Sequence, residues 1–262
     1  MSQATFDIRG LSAGYPHGRP ISEDLDLTID RGSFVAIIGP NACGKSTLLR
    51  TIARLLPALA GSVLLDGRDI RTRGGKELAR ELGLLSQSAE APDGMRVADL
   101  VARGRYPHRR AFTAWSADDE RAVREAMERT SVLELAERPV DELSGGQRQR
   151  VWLAMALAQE TSVLLLDEPT TFLDITHQLD MLDLFRDINR EQGTTVVAVL
   201  HDLNQAARYA DRIVAMRDGE IVRTGTPQEV LTPEVMARVF DLDCVIIADP
   251  ETQTPMVVPR RR

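Results

Sequence analysis

The stretch "GPNACGKST", residues Gly39–Thr47, limits what this chain can fold into more than any other part of its sequence. It fits the pattern G-x-x-x-x-G-K-[S/T] and follows the apolar run "FVAIIG", which predicts a buried strand of a parallel sheet. After it, apolar residues recur at helical spacing: Leu48, Leu49, Ile52, Leu55 and Leu56. A glycine-rich turn between such a strand and a helix N-terminus surrounds one point with backbone N–H groups. The stretch therefore predicts a phosphate-binding loop.

The phosphate-binding loop indicates a nucleoside triphosphate as ligand. We expect Lys45 to reach the β- and γ-phosphates and Ser46 to coordinate Mg²⁺. The predicted nucleotide-binding residues of the loop are Gly39, Pro40, Asn41, Ala42, Cys43, Gly44, Lys45, Ser46 and Thr47. The alternative is a chance glycine turn, which the predicted strand before the loop and the predicted helix after it disfavour.

An acidic pair follows a second apolar run, "VLLLDEP", at Val163–Pro169. Asp167 stands at the carboxyl end of the predicted strand, where ligands collect in open parallel sheets. We expect Asp167 to hold Mg²⁺, directly or through water, and Glu168 to polarise an attacking water. A solvent-facing acidic pair is the alternative, and the phosphate-binding loop in the same chain disfavours it. Kinases and GTPases remain open at this point.

Further patterns outline the organisation of the chain. Strands are predicted at Phe6–Tyr15, Leu25–Ile29, Ser162–Asp167 and Thr194–Leu200, with hairpin turns at Asp66-Gly67 and Asp218-Gly219. From about Val97 to Glu160 the pattern is helical, with a capping box at Ser116 and Asp119 and a helix that begins near Gly145. A helix is also predicted from about Thr176 to Asn189. The tail from Asp249 is expected to be partly irregular.

Composition excludes several classes of protein. The formal net charge of −7 over 262 residues disfavours a bulk nucleic-acid binder. Two cysteines, Cys43 and Cys244, do not make a disulfide framework, so we expect a reducing compartment. The N-terminus has no apolar signal region, and no stretch approaches the roughly 18 apolar residues that span a bilayer. A membrane role would therefore require docking on another component.

The stretch "LSGGQ", Leu143–Gln147, lies between the phosphate-binding loop and the acidic strand end. A chain with these three motifs in this order resembles the nucleotide-binding subunit of an ABC transporter, and the resemblance covers nearly the whole chain. It implies an α/β fold: a P-loop NTPase core with a mostly parallel sheet, an N-terminal antiparallel β section and a helical insertion. It also implies one ABC ATPase domain over residues 1–262, with a core at 1–86 and 161–262 and a helical subdomain at about 87–160.

The resemblance further implies that two copies pack head to tail. The stretch Leu143–Gln147, called the second glycine motif below, would then close over ATP held by the partner copy. The residues expected to act across this dimer are Ser144, Gly145, Gly146, Gln147 and Asp174. Tyr15 matches the aromatic residue that stacks on adenine. Gln87 matches the residue that joins the core to the helical section and senses Mg²⁺ and the attacking water, and His201 matches the histidine that contacts the γ-phosphate. The catalytic residues implied are Glu168, His201 and Gln87.

Two residues of the phosphate-binding loop depart from the commonest family pattern. Ala42 stands where glycine is usual, and because alanine disfavours positive φ, we expect Ala42 to keep a negative φ. Cys43 stands where serine is usual. A nearby helix N-terminus and Lys45 would lower the pKa of its thiol and make it redox-sensitive. The favoured alternative is that Cys43 is a small buried residue that only packs.

Three stretches resemble the cassettes of ferric-siderophore, haem and cobalamin importers: "VADLVARGRYPHRR", "DEPTTFLDITHQLDML" and "VFDLDCVIIADPETQTPMVVP". They favour a ferric siderophore as cargo and leave haem and cobalamin open. The cargo itself would be read by the permease and a separate substrate-binding protein. A soluble ABC ATPase that acts on nucleic acid or the ribosome is disfavoured by the single cassette and the acidic charge. Intact Lys45, Asp167, Glu168 and His201 disfavour a non-catalytic regulator.

An importer subunit of this kind would have integral-membrane permease subunits and a second copy of itself as partners, and no nucleic acid. It would lie peripherally on the cytoplasmic face of the inner membrane. A permease helix is expected to dock beside Gln87 and the segment Val97–Arg110. We expect Gly104 to line this groove, and the arginines that would make it basic are Arg103, Arg105, Arg109 and Arg110.

Overall fold

The computed structural model describes residues 4–16, 18–86, 91–109, 114–171 and 173–261. The chain divides into two compact units, one of Met1–Thr72 with Asn189–Arg262 and the other of Arg73–Ile188. In chain order, the strands are β1 (Ala4–Ala13), β2 (Ser22–Asp30), β3 (Phe34–Ile38), β4 (Ala58–Leu65), β5 (Arg68–Asp69), β6 (Leu82–Leu85), β7 (Val163–Asp167), β8 (Thr195–Val199), β9 (Arg212–Arg217), β10 (Glu220–Gly225), β11 (Cys244–Ala248) and β12 (Pro255–Pro259). The α-helices are α1 (Lys45–Ile52), α2 (Gly75–Glu81), α3 (Val97–Ala102), α4 (Ala117–Arg129), α5 (Gly145–Ala158), α6 (Ile175–Gln192), α7 (Leu203–Tyr209), α8 (Pro227–Val230) and α9 (Pro233–Phe240).

The first unit holds an antiparallel sheet with the strand order β2-β1-β4-β5. The turn between β4 and β5 is the predicted Asp66-Gly67 pair, with φ of 49° and 73°. Two consecutive residues with positive φ match the twist of a hairpin, which is why this pair is a strong turn signal. The antiparallel N-terminal section predicted from the sequence is therefore confirmed.

The first unit also holds mostly parallel strands, with β3 between β8 and β9. Ala36 on β3 lies opposite Ala198 on β8 and Ile213 on β9, both in parallel pairing. All five residues of β3 and of β8 are buried, as the continuous apolar runs predict. The strand β10 pairs with β9 in antiparallel orientation. Since β3 ends where the phosphate-binding loop begins, its neighbours fix the base of that loop.

The second unit combines the parallel pair β6 and β7 with a group of helices. An apolar cluster joins α3, α4 and α5, and it includes Val97, Leu100, Val101, Val123, Met127, Val151 and Ala154. The predicted capping box begins α4, because Ser116 Oγ accepts from Asp119 N at 3.1 Å and Asp119 Oδ2 accepts from Ser116 N at 3.2 Å. Among the described residues of the whole chain, no helix combines the length and apolar character needed to cross a membrane.

The end of α1 corrects a prediction from the sequence. Helical spacing extends to Leu55 and Leu56, but α1 ends at Ile52 and the side chain of Leu55 is exposed. Arg54 takes a left-handed conformation with φ 58°, and Leu55 N donates to Arg50 O at 2.8 Å. This is a Schellman-type ending, and Arg54 holds it by donating from Nη1 to Ile70 O at 2.7 Å. Apolar periodicity carries no signal for such an ending.

Arg105 and Gly104 also correct a prediction, because both are buried and neither lines a surface groove. Arg105 donates from Nε to Asp119 Oδ1 at 3.0 Å and from Nη1 to Ala158 O at 2.8 Å and Glu160 Oε2 at 2.6 Å. A Cβ atom on Gly104 would lie 2.2 Å from Met155 O. These contacts lock the segment after α3 onto α5 and α4, so sequence position alone was a poor guide to its exposure.

The C-terminal tail from Asp249 is partly irregular, as the sequence predicts, and its regular part is the strand β12. β11 and β12 form an antiparallel hairpin in which Ile246 lies opposite Val257. Asp249 orders the turn by accepting from Glu251 N at 2.9 Å, Thr252 N at 3.0 Å and Arg208 Nη2 at 2.9 Å. The Thr252 N–H and the Arg208 guanidinium lower the pKa of Asp249 to about 2. One buried carboxylate thus organises the irregular segment between the two strands.

We predict that Gly104→Ala lowers the free energy of unfolding by about 2 to 3 kcal/mol, because its Cβ would overlap a backbone carbonyl of α5. Gly74→Ala is the matched control, since Gly74 has φ −63° and its Cβ would lie 4.0 Å from the nearest atom. Chemical denaturation of both variants measures the difference. Equal midpoints would show that α5 is not packed against Gly104.

Candidate active site

The phosphate-binding loop joins β3 to α1 through two glycines that its geometry requires. Gly39 has φ 157°, and a Cβ atom there would lie 2.2 Å from Met216 O. Gly44 has φ 104° and is the residue that precedes α1 as its N-cap. The beginning of the loop therefore lies directly against strand β9 of the same chain, and this close contact restricts its backbone conformation.

Ala42 contradicts the prediction that it keeps a negative φ, because its φ is 61°. The left-handed conformation costs a non-glycine residue about 1 to 2 kcal/mol. Ala42 is exposed, so its methyl group meets no tight neighbour, while the buried residues after it hold the loop in place. The requirement of the loop for a left-handed turn thus overrides the local preference of alanine.

Lys45 is buried, and its ammonium group lies inside the loop. Nζ donates to Gly39 O at 2.9 Å and to Pro40 O at 2.7 Å. A buried ammonium needs such partners because desolvation of an unpaired charge is costly. Ser46 is half-buried directly after it, at the first turn of α1, and Thr47 is buried. The loop thus presents a fixed positive charge and a helix N-terminus at the same point.

Cys43 does not have the lowered pKa on which its proposed redox sensitivity depended. Burial raises the pKa of the thiol, and the charge of Lys45, whose Nζ lies 3.9 Å from Sγ, opposes this only in part. The backbone of Cys43 has a structural role, since Cys43 O accepts from Gly219 N at 3.1 Å. The packing interpretation of Cys43 is the one that the geometry supports.

The acidic strand end lies in the second unit, where β7 ends. All five residues of β7 are buried, including Asp167, so the alternative of a solvent-facing pair is wrong for Asp167. Glu168 follows in a left-handed conformation with φ 54°. Strained backbone of this kind is concentrated at functional sites. Thr171 Oγ1 donates to Glu168 Oε2 at 3.3 Å, which holds the carboxylate within its own loop.

Gln149 is a residue of this region that the sequence did not reveal. It lies on α5, and its Nε2 donates to Pro169 O at 3.0 Å, next to Glu168. The contact joins positions 20 residues apart in the chain, so no local pattern could indicate it. This hydrogen bond stabilises the segment that carries the acidic pair.

The second glycine motif begins α5 in the second unit. Ser144 and Gln147 form a capping box, with Ser144 Oγ accepting from Gln147 N at 3.3 Å and Gln147 Oε1 accepting from Ser144 N at 3.0 Å. A Cβ atom on Gly146 would lie 3.2 Å from Leu173 Cδ2, but one on Gly145 would have no described atom within 4 Å. Gly145 also lacks a positive φ. Nothing in the described part of the chain therefore requires glycine at 145.

Asp174 immediately precedes the next helix, α6. Its Oδ1 accepts from His177 N at 3.0 Å and lies 2.7 Å from His177 Nδ1. The His177 N–H and ring hydrogen bonds lower the pKa of Asp174. The carboxylate predicted to act across a dimer is thus already oriented by its own helix, and His177 has a structural role in holding it.

The remaining predicted residues lie in the first unit or outside the described residues. Tyr15 is 49% exposed, and its hydroxyl lies 3.5 Å from Arg50 Nη1. His201 is exposed between β8 and α7, and Asp202 after it caps α7 by accepting from Asn204 N at 2.8 Å and Gln205 N at 2.9 Å. Gln87 and Arg110 lie outside the described residues.

Comparison with known proteins places these motifs in one family. The ABC transporter family model matches residues 22–171. The chain belongs to the ABC transporter family. It is 52% identical over 263 residues to the ferric enterobactin transport ATP-binding protein FepC of Escherichia coli K12, with 100% of this chain and 97% of the relative covered.

Solved structures agree with this assignment. A metal-chelate type ABC transporter in an inward-facing conformation superposes with a TM-score of 0.83 at 27% identity, over 99% of this chain and 98% of that chain. The ATP-binding cassette MJ0796, solved as a dimer in a post-hydrolysis state with ADP and Pi, superposes with a TM-score of 0.75 at 28% identity, over 84% and 98%. The predicted family and fold class are both confirmed.

We predict that Gly145→Ala raises the free energy of unfolding by about 0.5 to 1 kcal/mol, because alanine suits a helix better than glycine. The same variant should lower ATP hydrolysis by about 10- to 100-fold, because the added methyl displaces whatever approaches this surface from outside the chain. Gly74→Ala, at another helix start with open space, is the control for both measurements. Full ATPase activity of Gly145→Ala would show that no close approach occurs at Gly145.

Proposed function

We propose that this chain is the ATP-hydrolysing subunit of an ABC importer that takes up an iron chelate, a ferric siderophore before haem or cobalamin. The observation that carries the proposal is the full-length similarity to a ferric enterobactin transport ATP-binding protein. The second support is a structural relative that is itself a metal-chelate type ABC transporter. Nearly complete coverage of both chains means that the similarity is not confined to the motifs common to all ATP-binding cassettes.

The phosphate-binding loop is the proposed ATP site of each copy. Backbone N–H groups of Gly39–Thr47 and the Lys45 ammonium, which loop carbonyls already hold in place, would bind the phosphates. Tyr15, half exposed, is the proposed adenine-stacking residue. A purine face stacks well on an aromatic ring whose other contacts leave it accessible.

The oxygen donors of the predicted residues fit Mg²⁺, the metal that such ATPases use. Ser46 offers a hydroxyl and Asp167 a buried carboxylate, and Mg²⁺ takes one or two protein oxygens together with phosphate oxygens. Bound Mg²⁺ would neutralise charge on the transferred phosphate. We propose Ser46, Asp167 and Gln87 as its ligands.

Glu168 is the proposed general base. Its carboxylate is held by Thr171 and lies on a strained backbone after a rigid strand, which restricts where it can take a proton from a water molecule. His201, at the end of β8, is the proposed contact to the γ-phosphate, and Gln87 the proposed sensor of the attacking water. These roles come from the resemblance of each position to its family motif.

Dimerisation would give a reason for glycine at 145, a position where the described part of the chain does not require it. We propose that Gly145 leaves room for the ATP held by a second copy, with Ser144, Gly146, Gln147 and Asp174 around it. The structural relative solved as a dimer supports an assembly of two cassettes. In this arrangement ATP binding brings two copies together, and hydrolysis lets them separate.

Permease subunits are the other partners of a transporter cassette. The docking surface that we propose is the exposed part of the segment Val97–Arg109. There Tyr106 is 67% exposed, and the Lys76 ammonium lies 4.5 Å from the centre of its ring. A separate binding protein would deliver the cargo to the permease, and no nucleic acid takes part. The subunit would lie peripherally on the cytoplasmic face of the inner membrane.

We predict that Glu168→Gln lowers ATP hydrolysis by about 100- to 10,000-fold, because the amide keeps the shape of the side chain but cannot accept a proton. The variant should bind ATP normally and accumulate as an ATP-bound dimer on gel filtration. Glu137→Gln, an exposed residue of the same unit, is the matched control. Near-normal hydrolysis by Glu168→Gln would remove the residue from its proposed role.

The cargo is tested by growth of a deletion strain under iron limitation with one chelate supplied at a time. We predict that ferric siderophores no longer support growth and that a plasmid with the wild-type chain restores it, whereas one with Lys45→Ala does not. Haem and cobalamin supplied separately act as the comparison. Normal use of every ferric siderophore, with a defect for haem or cobalamin alone, would contradict the siderophore assignment.

A further inference from the structure

The C-terminal hairpin β11–β12 is attached to the helix that follows His201. His201 lies between the end of β8 at Val199 and the beginning of α7 at Leu203. α7 has only seven residues, and a helix this short does not hold its own conformation or direction without contacts from elsewhere in the protein. Those contacts therefore decide where the chain around His201 points.

Asn204 makes the first attachment, at the second residue of α7. Its Oδ1 accepts from Val257 N at 2.8 Å, and its Nδ2 lies 3.5 Å from Val257 O. Both backbone groups belong to Val257 of β12, and they lie on the side of that strand that faces α7. One side-chain amide thus replaces the peptide group of a neighbouring strand and satisfies an edge that would otherwise be open.

Arg208 makes the second attachment, one helical turn further on. Its Nη2 donates to Asp249 Oδ2 at 2.9 Å and lies 3.5 Å from Glu251 Oε2. Asp249 cannot turn away, because Glu251 N and Thr252 N donate to its other oxygen. Residues four apart lie on the same face of a helix, so Asn204 and Arg208 hold one face of α7 against the hairpin.

We propose that Asn204 and Arg208 are positioning residues for His201, and that the C-terminal hairpin is the fixed support against which they hold α7. This inference rests on the proposed function, because it assigns Asn204 and Arg208 an effect on ATP hydrolysis that passes through His201. Neither side chain contacts ATP in the proposal. They fix the direction of α7, and Asp202, which caps that helix, carries the constraint back to the neighbouring His201.

The test uses the full-length chain and removes both attachments while keeping side-chain bulk, with the double substitution Asn204→Leu and Arg208→Met. Hydrogen exchange of the α7 amides reports whether the helix is released. Steady-state hydrolysis should show kcat lowered about tenfold, because small misplacements of a reacting group have effects of this size or larger. ATP affinity should stay within about twofold, because the phosphate-binding loop is untouched.

Arg260→Met is the matched control. It removes the ion pair in which Arg260 Nε lies 3.8 Å from Asp243 Oδ1, directly beside the two strands of the hairpin, and among the described residues no hydrogen bond or ion pair joins the Arg260 side chain to α7. It should leave both kcat and α7 exchange near the wild-type values. The single variant Arg208→Lys, in which Asn204 is native, should have a kcat much closer to the wild-type value than the double variant has, because a cation remains opposite Asp249.

To test whether Asn204 and Arg208 act through His201, the double substitution is repeated in a His201→Ala background. If the two residues act through His201, they should lower kcat no further there. A further tenfold loss in that background would overturn the proposal, as would wild-type kcat from a double variant whose α7 amides exchange faster. Should the double variant fold poorly, Asn204→Leu alone carries the same comparison with a smaller effect.

Failure of this inference can be told from failure of the proposed function. If the wild-type chain hydrolyses ATP and the His201→Ala variant does not, the proposed function is supported whatever the hairpin variants do. Without that loss, His201 has no role for the hairpin to support, and both assignments fall together. With that loss but no effect of releasing α7, only the positioning role is overturned.

Discussion

The buried ammonium group of Lys45 is the interaction on which the phosphate-binding loop depends. Gly39 and Pro40 carbonyls hold it inside the loop, and this arrangement requires the chain to leave β3 through a tight glycine turn. The same turn forces Ala42 into a left-handed conformation and brings Gly44 to the start of α1. Once these positions are set, loop N–H groups, a helix N-terminus and a positive charge converge without further rearrangement.

Space around the glycines separates those that the fold requires from Gly145, for which we propose an approach from outside the chain. Gly39 and Gly104 each lack room for a Cβ atom because a carbonyl oxygen lies where that atom would be. Gly145 has open space and ordinary helical backbone. Glycine at an exposed helical position weakens the helix, so its presence is best explained by something that must come close. In the proposed dimer that approaching group is the nucleotide of the partner.

Much of this fold could be predicted from the sequence, because continuous apolar runs identify buried strands and capping residues identify helix starts. The errors share a cause, since at each position the surrounding structure overrides the preference of the residue itself. Ala42 takes a positive φ under the demands of its loop, Arg105 is buried by partners on α4 and near the end of α5, and α1 ends before Leu55 where Arg54 donates to Ile70 O. Local preference gives no indication of such contacts. Gln87 stays a prediction, because it lies outside the described residues.

The central claim, that the second glycine motif completes the ATP site of a partner copy, is tested most directly by dimers of defined composition. Lys45→Ala disables one phosphate-binding loop and Gly145→Glu disables one second motif. The measurement is the amount of nucleotide trapped per purified mixed dimer. With the two substitutions in different subunits, the account predicts one intact site and about one trapped nucleotide per dimer; with both in one subunit, it predicts none. The opposite pattern would contradict it, because it would show that each chain completes its own site.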